Sequence, residues 1–262
     1  MSRLRTVAVT RYVTPLREGG SVPAIVEADD DGMYVLKFRG AGQGPKALIA
    51  ELLAGELARA VDLPVPEIVL IQLDPDLART EPDPEIQDLI RASGGLNVAL
   101  DYLPGAVTFD PVTHQPAAAL ASAIVWFDAF VTNVDRTARN TNMLMWHRQL
   151  HLIDHGAALY FHHDWDESYL ERSRDPFARI RDHVLLPFAG ALQEAHESMI
   201  ERLTPQLIRS LVALIPDELL ADDRAFATPR EFRSAYERYL LRRLEPPHDF
   251  FQEAQRAHAQ LV

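Results

Sequence analysis

Asp135, Asn140 and Asp154 lie within one stretch, Trp126–Tyr160, whose character changes along its length. It begins as an apolar run and breaks into the polar segment Asn133-Val134-Asp135-Arg136-Thr137-Ala138-Arg139-Asn140-Thr141-Asn142. Two short β-like pieces follow, Asn142–Trp146 and Leu150–Ile153, and the second ends in the turn Asp154-His155-Gly156. Asn140 stands five residues after Asp135, and Asp154 fourteen after Asn140. Carboxylate and amide oxygens are the hard donors that Mg²⁺ takes, and that ion usually keeps several waters. Such a set suits chemistry that needs positioning and charge neutralisation more than covalent steps, as phosphoryl transfer does. Asp135 and Asn140 by themselves also suit an ordinary loop, since both residue types favour turns through local hydrogen bonds. His147, His151 and His155 recur every fourth residue, which on a helix would line one face and invite a metal. In a hairpin that spacing does not converge, so surface or packing histidines are the better account. His162-His163-Asp164 is a weaker metal candidate, and Trp126, Phe127 and Phe130 read as core.

The elements around this stretch must position it. Residues 5–38 read as β structure, with a turn at Glu18-Gly19-Gly20-Ser21 and strands at Val22–Val26 and Met33–Phe38. The second strand sets Lys37 among apolar neighbours, either as an exposed edge lysine or as a cation facing a phosphate site. Gly40-Ala41-Gly42-Gln43-Gly44-Pro45-Lys46 reads as a mobile loop, either a phosphate-covering loop or a plain connector. It is not a Walker A motif, because Pro45 stands at a required glycine and Ala47 follows Lys46. The Gly19-Gly20-Ser21 turn is the other candidate for that task.

Ala47–Val61 has helix formers and apolar residues near a 3.6 period, and offers Glu51 or Glu56 to face Lys37, with Glu51 favoured. Asp74–Asp83 reads as a loop and Pro84–Ala92 as a short helix. Leu96–Tyr102 reads as a strand leading into Leu103-Pro104-Gly105, which suits a hinge and sets a boundary near residue 103. Pro116–Thr132 reads as a buried helix. Phe161–Trp165 stands where a substrate loop would, and helices are expected over Phe177–Phe188, Ala191–Leu203, Pro205–Ile215, Pro229–Leu244 and from about Asp249.

Composition narrows the classes. The 262 residues are 47% hydrophobic and 24% charged, enough for a sizeable core. A net charge of −12 argues against a nucleic-acid or polybasic membrane surface. No cysteine is present, which excludes disulfides, thiolate catalysis and Cys-based zinc. The N-terminus lacks the apolar run of a signal peptide, and Ala117–Val131 is interrupted by Asp128 and shorter than a membrane span. A soluble, cytoplasmic protein is expected.

Taken together, the Tyr34–Phe38 strand, the helix ending in Leu63-Pro64-Val65-Pro66-Glu67, the NxDRxxxNxN loop and the Ile153-Asp154-His155-Gly156 turn resemble those of the HipA-like kinases. These markers span roughly residues 12–160. The resemblance implies an α+β, bilobal protein-kinase-like fold, with a small β-rich lobe over residues 1–103 and a larger, mostly helical lobe over 104–262. It implies ATP and Mg²⁺ as cofactors and transfer of the γ-phosphate to a hydroxyl, with protein Ser or Thr first and a small molecule second. Lys37 would pair with the α- and β-phosphates and Glu51 would orient it. Asp135 would take or position the hydroxyl proton, and Asn140 and Asp154 would hold Mg²⁺. Gly19, Gly20 and Ser21 would cover phosphates, and Asp101, Tyr102 and Leu103 would meet the adenine. Arg136 or Arg139 would neutralise phosphate or acidic partners. The sequence departs from protein kinases at Asn133 and Val134, where they carry His and Arg, and at His155, where they carry Phe. No glycine-rich loop of the kinase type is recognisable, and no nucleic-acid partner is implied. A catalytically inactive kinase-fold binding module is the rival reading.

Overall fold

The computed structural model describes residues 4–16, 22–42, 44–166, 168–221 and 223–261. Strand β1 (Arg5–Pro15) buries Val7, Val9 and Tyr12. The two-residue period slips between Val9 and Tyr12, where the ladder to β2 (Ala24–Ala28) is irregular. β2 returns through Asp29–Gly32 into β3 (Met33–Lys37), and helix α1 (Pro45–Ala60) follows. β4 (Ile68–Leu73), α2 (Pro84–Ala92) and β5 (Gly95–Asp101) complete this part. The five strands close into a barrel in the order β1-β2-β3-β5-β4, sealed by the parallel pairing of β1 with β4. Closure leaves the sheet no unpaired edge. Its interior is filled by side chains such as Val26, Leu36, Val69 and Ile71, joined by Ile86 and Ile90 of α2. The expected loop at Asp74–Asp83 contains a 3-10 turn over Pro75–Thr80, capped by the Asp74 side chain on the Asp76 N–H.

A second core starts at α1 and runs through the rest of the chain. Leu48, Leu52, Leu53 and Leu57 of α1 pack in one cluster with α3 (Ala118–Phe130) and the C-terminal helices. Trp126, Phe127 and Phe130 are fully buried, as an all-round apolar helix demands. β6 (Val107–Thr108), β7 (Met143–Trp146) and β8 (Gln149–Leu152) form a small sheet in that order. β6 is too short to show a period in the sequence. Beyond it lie α4 (Leu192–Arg202), α5 (Pro205–Val212), α6 (Asp217–Leu220), α7 (Pro229–Arg243) and α8 (Asp249–Ala259). Proline sets several of these starts, and α7 begins with a reciprocal cap between Thr228 and Glu231.

The helix expected over Phe177–Phe188 does not form. Two 3-10 turns, Ala178–Asp182 and Leu186–Phe188, take its place. His183 between them makes a β-bridge with Thr137, and the Val184 N–H donates to the Arg136 carbonyl at 3.2 Å. Those backbone groups go to a distant loop, so they cannot close helical turns. Among the described residues no helix is long and apolar enough to cross a membrane.

Candidate active site

Lys37 ends β3 with its side chain only 12% exposed, and two carboxylates meet it. Asp154 Oδ1 lies 2.8 Å from Nζ, and Glu51 Oε2, projecting from α1, lies 3.9 Å away. Burial alone would lower the lysine pKa, but the charges of Glu51 and Asp154 outweigh it and hold the pKa above its ordinary value. Burial would likewise raise Glu51, yet Lys37 and the neighbouring His155 hold it below the usual carboxylate range. His155 is fully buried behind the pair, with Nδ1 3.6 Å from Glu51 Oε1. Glu56, the other candidate on this helix, turns to Arg59 at 3.3 Å.

Asp135 sits half-buried in the loop after α3. Its Oδ2 accepts from Asn140 Nδ2 at 2.7 Å and from Asn142 Nδ2 at 3.1 Å. Asn142 also accepts the Ile153 N–H on its carbonyl at 3.0 Å, so one buried asparagine links the Asp135 loop to the turn carrying Asp154. Asn142 and Asp154 both adopt left-handed backbone, at φ 48° and 56°, a conformation that suits Asn and Asp better than other L residues. A continuous chain of contacts therefore runs from Asp135 through Asn142 and the turn to Lys37 and Glu51. Asn140 is exposed beside Asp135, and Asp154 is 38% exposed.

Other expected residues lie elsewhere or act differently. Gly19, Gly20 and Ser21 lie outside the described residues. The Gly40–Gly44 loop is not free. The Arg39 N–H donates to Asn97 Oδ1 at 2.7 Å and the Gly40 N–H to Ser93 Oγ at 3.0 Å, while Ala41 and Gly44 donate to Phe38 and Ala41 carbonyls. These four N–H groups are therefore not available to a phosphate, and they tether this part of the loop to the end of α2 and to β5. In the hinge, the N–H groups of Asp101 and Tyr102 already serve Glu67 O and Met33 O, at 2.8 and 3.0 Å, and Leu103 is buried. Arg136 is fully buried and bonded to Asp128, which removes it from phosphate binding, whereas Arg139 is exposed.

Phe161 and His162 are buried against α7, with His162 Nδ1 2.9 Å from the Tyr236 hydroxyl, so this segment is packed where a substrate loop was expected. The histidines at every fourth residue diverge. His147 lies in the hairpin turn, His151 sits edge-on to Trp146, and His155 is in the core. Among the described residues no three His, Asp or Glu side chains gather as a metal site. Two cavities among the described residues, of about 400 and 900 Å³, are lined by residues other than Lys37, Asp135 and Asp154.

Sequence reasoning missed Asn142, Asn133 and His183 as parts of this arrangement. Asn142 was visible only as the last asparagine of the loop. An aspartate in an otherwise apolar helix, Asp128, was the sign that a buried partner had to exist.

Comparison with known proteins places these features. A sequence model described as HipA-like kinase matches residues 9–254. The Helicobacter pylori proinflammatory kinase CtkA is similar in structure, with a TM-score of 0.61 at 12% identity, covering 99% of this chain and 100% of that one. The Golgi casein kinase with Mn/ADP bound gives a TM-score of 0.50 at 12% identity, covering 98% of this chain and 74% of that one. At such identities the likeness is one of fold, and it makes the α+β architecture kinase-like. No curated protein matches the sequence.

Proposed function

Because the chain belongs to the HipA-like kinase family, we propose that it is an ATP-dependent kinase that phosphorylates a Ser or Thr hydroxyl of a protein. The observation carrying this reading is the contact chain from Asp135 through Asn142 and the Asp154 turn to the buried Lys37–Glu51 pair. In this reading the barrel and α1 form a small lobe, residues 1–103, over a larger lobe, 104–262, with the nucleotide between them.

The residues suit a magnesium nucleotide. Lys37 is a buried, charged cation held by Glu51, and Asp154 and Asn140 offer hard oxygens to solvent. The Golgi casein kinase with Mn/ADP supports nucleotide and divalent-metal use in this fold. Lys37 pairs with the α- and β-phosphates, and the Leu103 N–H is the hinge donor left for the adenine. Asn140 and Asp154 would hold magnesium, which would supply neutralisation of phosphate charge. The Asp135 carboxylate, aimed by Asn140 and Asn142, receives or directs the acceptor's hydroxyl proton. The acceptor oxygen bonds to the γ-phosphorus as the bond to the β-bridging oxygen breaks, and ADP leaves.

Calorimetric titration of Mg·ATP into the wild type, Asp154→Ala and Asp135→Ala tests this. Binding that requires magnesium, is lost in Asp154→Ala and persists in Asp135→Ala is expected. Phosphate transfer should fall about 10²- to 10⁴-fold in Asp135→Ala. A wild type that binds no nucleotide would refute the proposal and leave a kinase-shaped binding module.

A further inference from the structure

Asp128 is an anomaly of sequence before it is one of structure. It stands in the last turn of α3 among Ile124, Val125, Trp126, Phe127, Ala129 and Phe130, fully buried like them. A buried carboxylate costs several kcal/mol of hydration, and an apolar residue of its size would usually be as good for stability. Here its two oxygens are fully used. Oδ1 accepts from Asn133 Nδ2 at 3.0 Å. Oδ2 accepts from Arg136 Nε at 2.6 Å and from His183 Nε2 at 2.9 Å. The Leu185 N–H donates to His183 Nδ1 at 3.0 Å, which puts the ring's proton on Nε2, facing the carboxylate.

The three donors matter for where they lead. Asn133 and Arg136 flank Asp135 on either side. Asn133 Oδ1 accepts the Asp135 N–H at 3.2 Å, so the carboxylate of α3 reaches the backbone of Asp135 through one amide. Arg136 Nη1 donates to the Asn142 carbonyl and lies 3.4 Å from the Ile153 carbonyl. Asn142 is the residue that grips the Asp135 carboxylate, and Ile153 adjoins Asp154. His183 arrives from the segment that the sequence reads as a helix, and its bridge to Thr137 holds the far side of the loop. We propose that Asp128, acting through Asn133, Arg136 and His183, is the positioning residue of the site, setting Asp135 and locking its loop to the Asp154 turn. This rests on the phosphoryl-transfer reading for its kinetic consequence alone.

The test separates positioning from stability. In Asp128→Leu/Arg136→Met both charges are replaced by apolar side chains of similar size, an exchange that often restores or improves stability. The expected result is a folded protein, its melting temperature lowered only by the unpaired Asn133 and His183 donors, with kcat down about 10²-fold, the cost of a misplaced catalytic group. KM for Mg·ATP should rise by less than kcat falls, since Lys37 and Glu51 are untouched while Asn140 and the Asp154 turn lose only the clamp that Arg136 supplies. Amide hydrogens of residues 133–142 should exchange faster than in the wild type. A folded double variant with wild-type kcat and wild-type exchange overturns the proposal. If the wild type transfers no phosphate, the kinase reading has failed, and the exchange measurement alone decides this one. Asn133→Ala guards against a double variant that does not fold. It leaves the ion pair intact, removes the two hydrogen bonds that Asn133 makes to Asp128 and to the Asp135 N–H, and should lower kcat at least about tenfold. It should also speed exchange in residues 133–142. With both unchanged, Asp128 is structural only.

Discussion

Replacing Glu51 by Gln removes one charge from the trio of buried Lys37, buried Glu51 and solvent-facing Asp154, and leaves the shape of α1 unchanged. At 3.9 Å and an effective dielectric constant of about 20, the attraction lost between Glu51 and Lys37 is about 4 kcal/mol. Part of that is returned, because an amide is cheaper to bury than a carboxylate that is 1% exposed. Asp154 also stays 2.8 Å from Nζ and keeps the lysine paired. The net loss should be about 2–3 kcal/mol, lowering the melting temperature by about 5–10 °C for a chain of this size. The functional effect follows from the same geometry. With Glu51 neutral, Lys37 is drawn to Asp154 alone, which holds the cation away from phosphate and the carboxylate away from metal. Mg·ADP affinity should fall at least about tenfold, or 1.4 kcal/mol. Scanning calorimetry and isothermal titration of wild type and variant measure the two effects, with Glu56→Gln as the control that should leave affinity unchanged. If Glu51→Gln melts with the wild type and binds Mg·ADP within about twofold, the Lys37–Glu51 pair has no role in the site.

Arg243 is fully buried and donates to four carbonyls, those of Ala129, Phe130, Ser173 and Asp175, tying α7 to the end of α3. Arg243→Met should cost about 3 kcal/mol in urea unfolding. Arg243→Lys should recover less than half of that, because an ammonium lacks the planar fork. At Gly55 an added Cβ would run into Ile68 Cδ1, between α1 and β4. Gly55→Val should therefore destabilise by about 2 kcal/mol and weaken Mg·ADP binding by shifting Glu51; unchanged affinity would mean that α1 is free to move. Burial keeps His162 well below the ordinary imidazole value, lowers His183, and with His248 holds His196 at about 4. The unfolded chain then takes up protons first as pH falls through about 6.5, so stability is full above that value and declines below it. The depressed carboxylates Glu51 and Asp128 lose their contributions only at still lower pH. Melting temperature should rise from about pH 4.5 to 6.5 and level off above 7, and a flat profile would contradict the neutral, buried histidines.

Much of this protein was legible in its sequence because the signals are local. The order Asp135, Asn140, Asp154, the hairpin between them, the lysine strand and helix α1 all follow from residue type and period over a few neighbours. Even the choice between Glu51 and Glu56 was bounded in advance: five residues at about 100° each put them well apart around the helix, so only one can face Lys37. Which one does was decided by how α1 packs on the later helices. The rest depended on partners far along the chain. The parallel pairing of β1 with β4 closes the barrel, and Asn97 reaches back to Arg39 to pin the glycine loop that the sequence reads as mobile. Arg136 has the same charge in any context. Only the buried Asp128 beneath it turns a candidate phosphate ligand into an internal clamp. His183 likewise leaves a helical pattern because the loop at Thr137 offers its backbone a better use. Residue type and local period set the chemistry on offer and the order in which it appears, whereas burial and long-range hydrogen bonding decide which charges are spent inside the fold and which still face solvent.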